Sequence, residues 1–201
     1  MKKLIQTNIK NTIALFISFI FILTSAISCS DDDDSVVADI KNSVPEHEHA
    51  EITKVVLKFT DAAKKEYKFD YVAPEGTTTL PITEVNVPAG TYDVEISFHY
   101  PHGDHFHSIT DEVFIDDADD HFVLYQKIDG PKIDIVYADD DAIDTLGNKL
   151  GRYTTWTISG EGKVYIHLIH QPVKKDPNAL SAAQLGGEID LEAHFDVKIL
   201  K

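Results

Sequence analysis

Cysteine is almost absent. The 201 residues hold one, Cys29, so no disulfide can close within the chain and burial alone must hold the fold. Basic residues are scarce as well: 18 Lys and Arg against 34 Asp and Glu leave a formal charge of −16. A chain this acidic is repelled by nucleic-acid phosphates and by an anionic lipid surface, so no nucleic-acid partner is expected. Tryptophan occurs once, at Trp156, too little for a platform of stacked aromatics. The one long apolar run, residues 13–23, is broken by Ser18 and falls short of the ~20 residues that span a bilayer. There is no nucleophile motif, no glycine loop to cradle phosphate and no HExxH helix. The chain therefore reads as a binding protein rather than an enzyme, with no catalytic residues and no organic cofactor.

The N-terminus has an order of its own. Lys2, Lys3 and Lys10 precede the apolar run, and Ser25-Ala26-Ile27-Ser28-Cys29 closes it. A basic start, a short apolar core and small residues before a cut site form a secretion signal. Small residues directly before the only cysteine resemble the bacterial lipobox, in which the thiol is acylated and the chain is cut before it. That resemblance implies a signal peptide over residues 1–28 and a lipid anchor at Cys29. One acyl chain anchors weakly, whereas the three of a bacterial lipoprotein hold firmly. Ser30-Asp31-Asp32-Asp33-Asp34 follows and resembles the acidic export signal of Bacteroidota lipoproteins, which implies the outer membrane and a position facing the cell exterior. Residues 29–50 read as an acidic tether: polar, interrupted by Pro45 and without a sustained period. Loss of residues 1–28 removes three lysines and no acid, so the formal charge of −16 becomes −19.

From residue 51 to 201 the chain reads as strands. Residues 55–59 are apolar and β-branched, and residues 66–71 and 91–98 alternate. Residues 189–199 alternate too, with Ile189, Leu191, Ala193, Phe195, Val197 and Ile199 on one face. A period of two marks a half-buried strand. Turn signals recur at Pro74-Glu75-Gly76, Asp129-Gly130-Pro131 and Gly160-Glu161-Gly162. Short strands so spaced predict an all-β fold: an antiparallel β-sandwich, immunoglobulin-like or jelly-roll-like, of nine or so strands, ending in a long one. The only helical candidate is a short turn over residues 179–184. A turn at Gly160-Glu161-Gly162 would put Trp156 and Ile158 on one core face with Val164, Ile166 and Leu168. A division into two domains near Asp129-Gly130 is the alternative organisation.

Three short segments carry a second resemblance. Asp120-His121-Phe122, His170-Gln171-Pro172 and Gly186-Gly187-Glu188-Ile189-Asp190 look like a group of small lipoproteins of Bacteroidota. It implies class and location only.

Histidine is the residue in excess, with ten. The densest stretch is His99-Tyr100-Pro101-His102-Gly103-Asp104-His105-Phe106-His107. A turn centred on Gly103 would set His99 opposite His107, with His105 on the same face and His102 and Asp104 at the tip. Facing residues lie ~4.5–5.5 Å apart at Cβ, close enough for imidazoles to share an ion. Such a set suits Zn²⁺, Cu²⁺ or Ni²⁺. His47 and His49 in the tether could add flexible ligands. His170 reads as a core histidine, His167 as outward-facing, His194 as one of a polar trio with Glu192 and Asp196, and His121 as structural. The acidic runs over residues 116–120 and 139–141 lack the spacing of a calcium loop and read as solvated.

Two function classes follow. One is a surface lipoprotein that binds a transition metal at the hairpin and passes it to an outer-membrane transporter. The other is a non-catalytic interaction module, for a glycan, a host protein or a transporter subunit, with incidental histidines. Haem capture between paired histidines is a third.

The anchor reading makes a direct forecast. Cys29→Ala should release the protein from the membrane fraction or leave an unprocessed precursor; a variant still matured and acylated contradicts it. Replacing Asp31, Asp32, Asp33 and Asp34 by alanine should keep the lipid but trap the protein inside the outer membrane. Protease shaving of whole cells reads this, and equal digestion of variant and wild type counts against an export signal.

Overall fold

The alternating segments form strands. The computed structural model describes residues 51–74, 79–129 and 132–200. Its strands are β1 (Lys54–Asp61), β2 (Glu66–Val72), β3 (Ile82–Val87), β4 (Gly90–His102), β5 (His105–Ser108), β6 (His121–Lys127), β7 (Ile133–Tyr137), β8 (Tyr153–Ile158), β9 (Gly162–His170) and β10 (Glu188–Ile199). Cys29, Asp31 to Asp34, His47 and His49 lie outside the described residues. Among the described residues no helix is long and apolar enough to cross a membrane.

The strands make two sheets. One runs β2-β1-β4-β8-β7, with β5 paired to the far end of β4; the other runs β3-β10-β9-β6. All pairs are antiparallel except β3 with β10. Each sheet draws strands from both sides of Asp129. The expected sandwich is thus present, with ten strands and one parallel pair among the described residues.

The inner faces carry the core. Tyr92, Val94, Ile96 and Phe98 of β4 are buried, as are Leu57 and Phe59 of β1 and Trp156 and Ile158 of β8. Ala193, Phe195 and Val197 of β10 and Val164, Ile166 and Leu168 of β9 are buried from the other sheet. Aromatic rings bridge the layers. Trp156 meets Tyr125 of the other sheet at 5.8 Å between centroids and Tyr71 meets Phe195 at 6.0 Å, while Trp156 also meets Phe59 of its own sheet at 5.2 Å. The two Trp156 pairs are edge-to-face, a geometry that stabilises beyond the area it buries.

Three expectations change. Trp156 and Ile158 are buried along with Val164, Ile166 and Leu168, but β8 and β9 belong to different sheets, so these residues do not share a face of one hairpin. The turn at Gly160-Glu161-Gly162 is a crossover. Ile189 does not join the core face: it is 50% exposed, because the register passes from Ile189↔Ile169 to Leu191↔Leu168 and leaves Asp190 as an extra residue. Such a bulge breaks the alternation locally. The helical candidate shrinks to one turn, Ala182–Gln184, and a second helical segment, the wide π-type turn Glu112–Asp116, was not expected.

The acidic loops are not simply solvated. Asp119 accepts bonds from the Thr145 N–H and hydroxyl, and Asp141 accepts the Gly151 and Tyr153 N–H groups at 2.6 and 2.7 Å. Lys175 supplies the positive charge where these oxygens converge. Its ammonium donates to the carbonyls of Ala118 and Asp119 at 2.8 and 2.9 Å and pairs with Asp144 at 3.0 Å. Both side chains of that pair are buried, at 6% and 3% exposure. Burial alone would raise the Asp144 pKa, but hydrogen bonds from Asn148 and Lys175 outweigh it and bring the value down to about 2.

This pair generates a stability forecast. Lys175→Met should cost roughly 3–5 kcal/mol, because it leaves a buried carboxylate unpaired. The Asp144 contribution is present above the ordinary aspartate value of 3.8 and is lost as pH falls through about 2. Urea melts from pH 7 to pH 2 should therefore show the wild type losing stability below about pH 4 by an increment on the order of 2 kcal/mol that Asp144→Asn lacks. Parallel curves for the two proteins contradict the assignment.

Candidate metal centre

β4 runs past the body of its sheet, and its last residues pair only with β5. The register is His99↔Ser108, Tyr100↔His107, Pro101↔Phe106 and His102↔His105. Two residues, Gly103 and Asp104, make the turn. Gly103 has φ +63°, and Asp104 is not among the residues of positive φ, the pattern of a type II′ turn with glycine first. Such turns match the right-handed twist of paired strands.

The register corrects the expected ligand set. A turn centred on Gly103 would set His99 opposite His107. The observed turn is shifted by one residue, and a one-residue shift moves side chains to the other face. His107 therefore joins Tyr100, His102 and His105, and His99 is left on the opposite face with Ser108. His99 is part-buried, with Nε2 3.1 Å from Ser97 Oγ. Burial, and then the charges of Lys54 and Lys68, push its pKa below the usual histidine value.

The three remaining imidazoles converge. Ring centroids lie 4.8 Å apart for His102 and His107, 4.9 Å for His105 and His107, and 5.4 Å for His102 and His105. One nitrogen of each lies within 4.8 Å of the others. All three residues are exposed. His107 stacks on Tyr100 at 5.8 Å, which steadies the ring. Asp104 places Oδ1 3.2 Å from His105 Nδ1. A carboxylate can only accept, so Nδ1 carries the hydrogen and Nε2 is free to bind an ion. Asp104 thus orients a histidine. Phe106 lies on the other face, with the Lys54 ammonium 5.0 Å from its ring centre.

The other histidines fall into two groups. His167 is on the outer face of the second sheet, as expected, yet it is buried, with Nε2 3.0 Å from Gln126 Oε1 and Glu192 at 3.6 Å. Burial lowers its pKa. His194 lies 2.5 Å from Glu192 and stacks on Tyr165 at 3.7 Å, so its nearest groups are Glu192 and Tyr165. His121 and His170 stack on each other at 5.0 Å, with Asp190 beside both. Burial would lower the His121 pKa, but Asp190 and the Asp117 carbonyl outweigh it and raise the value. Sequence reading did not bring these three together. Asp190 is placed by the bulge, which strict alternation hides.

No family model, curated protein or solved structure matches the chain.

Proposed function

We propose that this protein is a lipoprotein, held to the outer membrane by lipid at Cys29 and facing the cell exterior, that binds a transition metal through His102, His105 and His107. The observation that supports this most is the convergence of three exposed imidazoles on one face of a tight hairpin. Nitrogen donors suit Zn²⁺, Cu²⁺ or Ni²⁺. Three protein ligands leave a coordination position for water or for a donor from a partner. An open, exposed site of this kind fits capture followed by release, so delivery to an outer-membrane transporter is the second half of the proposal. His47 and His49, in the acidic tether, are proposed as auxiliary donors.

Calorimetry of the purified protein with Zn²⁺, Cu²⁺ and Ni²⁺ tests the reading. Replacing His102, His105 and His107 together by alanine should abolish the hairpin site while leaving the strand spectrum intact, because all three are exposed. His99→Ala should leave affinity unchanged. His47→Ala with His49→Ala should cost less than the triple change, since a tether loses conformational entropy when it contributes a ligand. Imidazole binds metal only when deprotonated, and its ordinary pKa is ~6.5, so affinity should fall steeply from pH 7 to pH 5. A triple variant that keeps every wild-type equivalent at wild-type affinity overturns this assignment and favours the interaction-module reading.

A further inference from the structure

A second cluster sits where β6 begins, β9 ends and β10 begins. His121 pairs directly across from His170, which puts both imidazoles on one face of the sheet. Asp190 is the extra residue of the β10 bulge, and bulges commonly re-aim a side chain at a site. Here the carboxylate is shared: Oδ2 lies 3.5 Å from His121 Nε2, and Oδ1 lies 3.8 Å from His170 Nδ1.

The tautomer of His121 is fixed by its surroundings. Its Nδ1 is 3.0 Å from the Asp117 carbonyl, which can only accept, so Nδ1 carries a hydrogen. Nε2 then points toward Asp190. Nε2 and the Asp190 carboxylate can hold a proton between them, and a divalent cation that displaced it would be bound by both. A backbone carbonyl on the far nitrogen is also the usual outer-shell support of a metal-binding histidine. The three ligand atoms lie within 4.8 Å of one another. Donors bound at ~2.0–2.2 Å sit roughly 3.0–3.5 Å apart, so small side-chain shifts close the set on an ion.

The backbone around the cluster is held in uncommon conformations. Gln171, next to His170, has φ +48°, and its N–H donates to the Asp120 carbonyl at 2.6 Å. Gly187 has φ +80°, and a Cβ there would fall 2.3 Å from the His170 carbonyl oxygen. The turn into β10 is thus pinned against the end of β9. The His121 side chain is 4% exposed, whereas His170 and Asp190 are 22% and 26% exposed, which leaves one side open to solvent.

We propose that His121, His170 and Asp190 form a second metal site, for a divalent first-row cation, independent of the hairpin. Two imidazoles and a carboxylate are the donor set for Zn²⁺, Co²⁺ or Fe²⁺, and the open side admits water or an outside ligand. This site is more enclosed than the hairpin and carries a negative charge, so it should hold its ion longer.

The test uses the full chain carrying His102→Ala, His105→Ala and His107→Ala, titrated with Co²⁺ by visible absorption and with Zn²⁺ by calorimetry. One equivalent should bind, with visible ligand-field bands for Co²⁺ and a raised melting temperature. In that background His170→Ala should weaken binding by at least about 100-fold, the upper range for losing even an outer-shell partner. Asp190→Asn, which keeps the shape of the side chain, should weaken it by at least about 10-fold. Circular dichroism confirms that each variant is folded, and Asp190→Asn remains readable if His170→Ala is not. No bound equivalent in the hairpin-free protein overturns the proposal, and so does an equivalent that neither substitution weakens; the cluster is then an internal ion pair only. Failure of the hairpin reading leaves this result untouched, because the hairpin histidines are absent from the protein tested.

Discussion

β4 ties the core to the histidine hairpin, and the alternation of its side chains is the constraint that links them. Tyr92, Val94, Ile96 and Phe98 must face the core, and pairing with β1 and β8 fixes them there. The next residues of that parity are Tyr100 and His102, which emerge beyond the core on the same face. Parity then passes through a two-residue turn to His105 and His107. The hairpin therefore inherits its facing from buried residues several positions away. A change that slipped β4 by one residue would expose the core and scatter the imidazoles together.

The acidic loops handle charge differently from the hairpin. The loop before β6 and the loop between β7 and β8 turn their carboxylates onto the Lys175 ammonium, the Thr145 hydroxyl and the Gly151 and Tyr153 N–H groups. Gly151 has φ +89°, and a Cβ added there would stand 3.0 Å from the Val123 carbonyl oxygen, so glycine lets the two segments pack closely. A chain with so few cations places one of them, Lys175, where several oxygens converge. Asp119, Asp141 and Asp144 are held by these contacts, while the hairpin tip stays exposed.

The sequence made the layers legible because half-buried strands print a period of two. Residues 91–98 and 191–199 behave as read, and Trp156 is buried as expected. The histidine cluster was legible as composition. Its register was not, because glycine can occupy the first or the central position of a short turn, and the two choices place His107 on opposite faces. The bulge at Asp190 was hidden for a similar reason: Ile189 continues the apolar alternation in sequence, and only cross-strand pairing shows that it leaves the core. His170 read as a core residue because it continues the parity of Val164, Ile166 and Leu168, while in space it stacks on His121 beside a carboxylate. The crossover of β8 to β9 and the parallel β3–β10 pair depend on contacts between segments far apart in the chain, which no local pattern encodes.

Anomalous diffraction at the zinc edge, from crystals of the protein grown with Zn²⁺, tests the central claim most directly. A peak should lie between His102, His105 and His107, with each coordinating nitrogen ~2.0–2.1 Å from the ion and His99 outside the coordination sphere. A peak bound by His99 and His107, or no peak at the hairpin, would contradict the register and the ligand set derived from it.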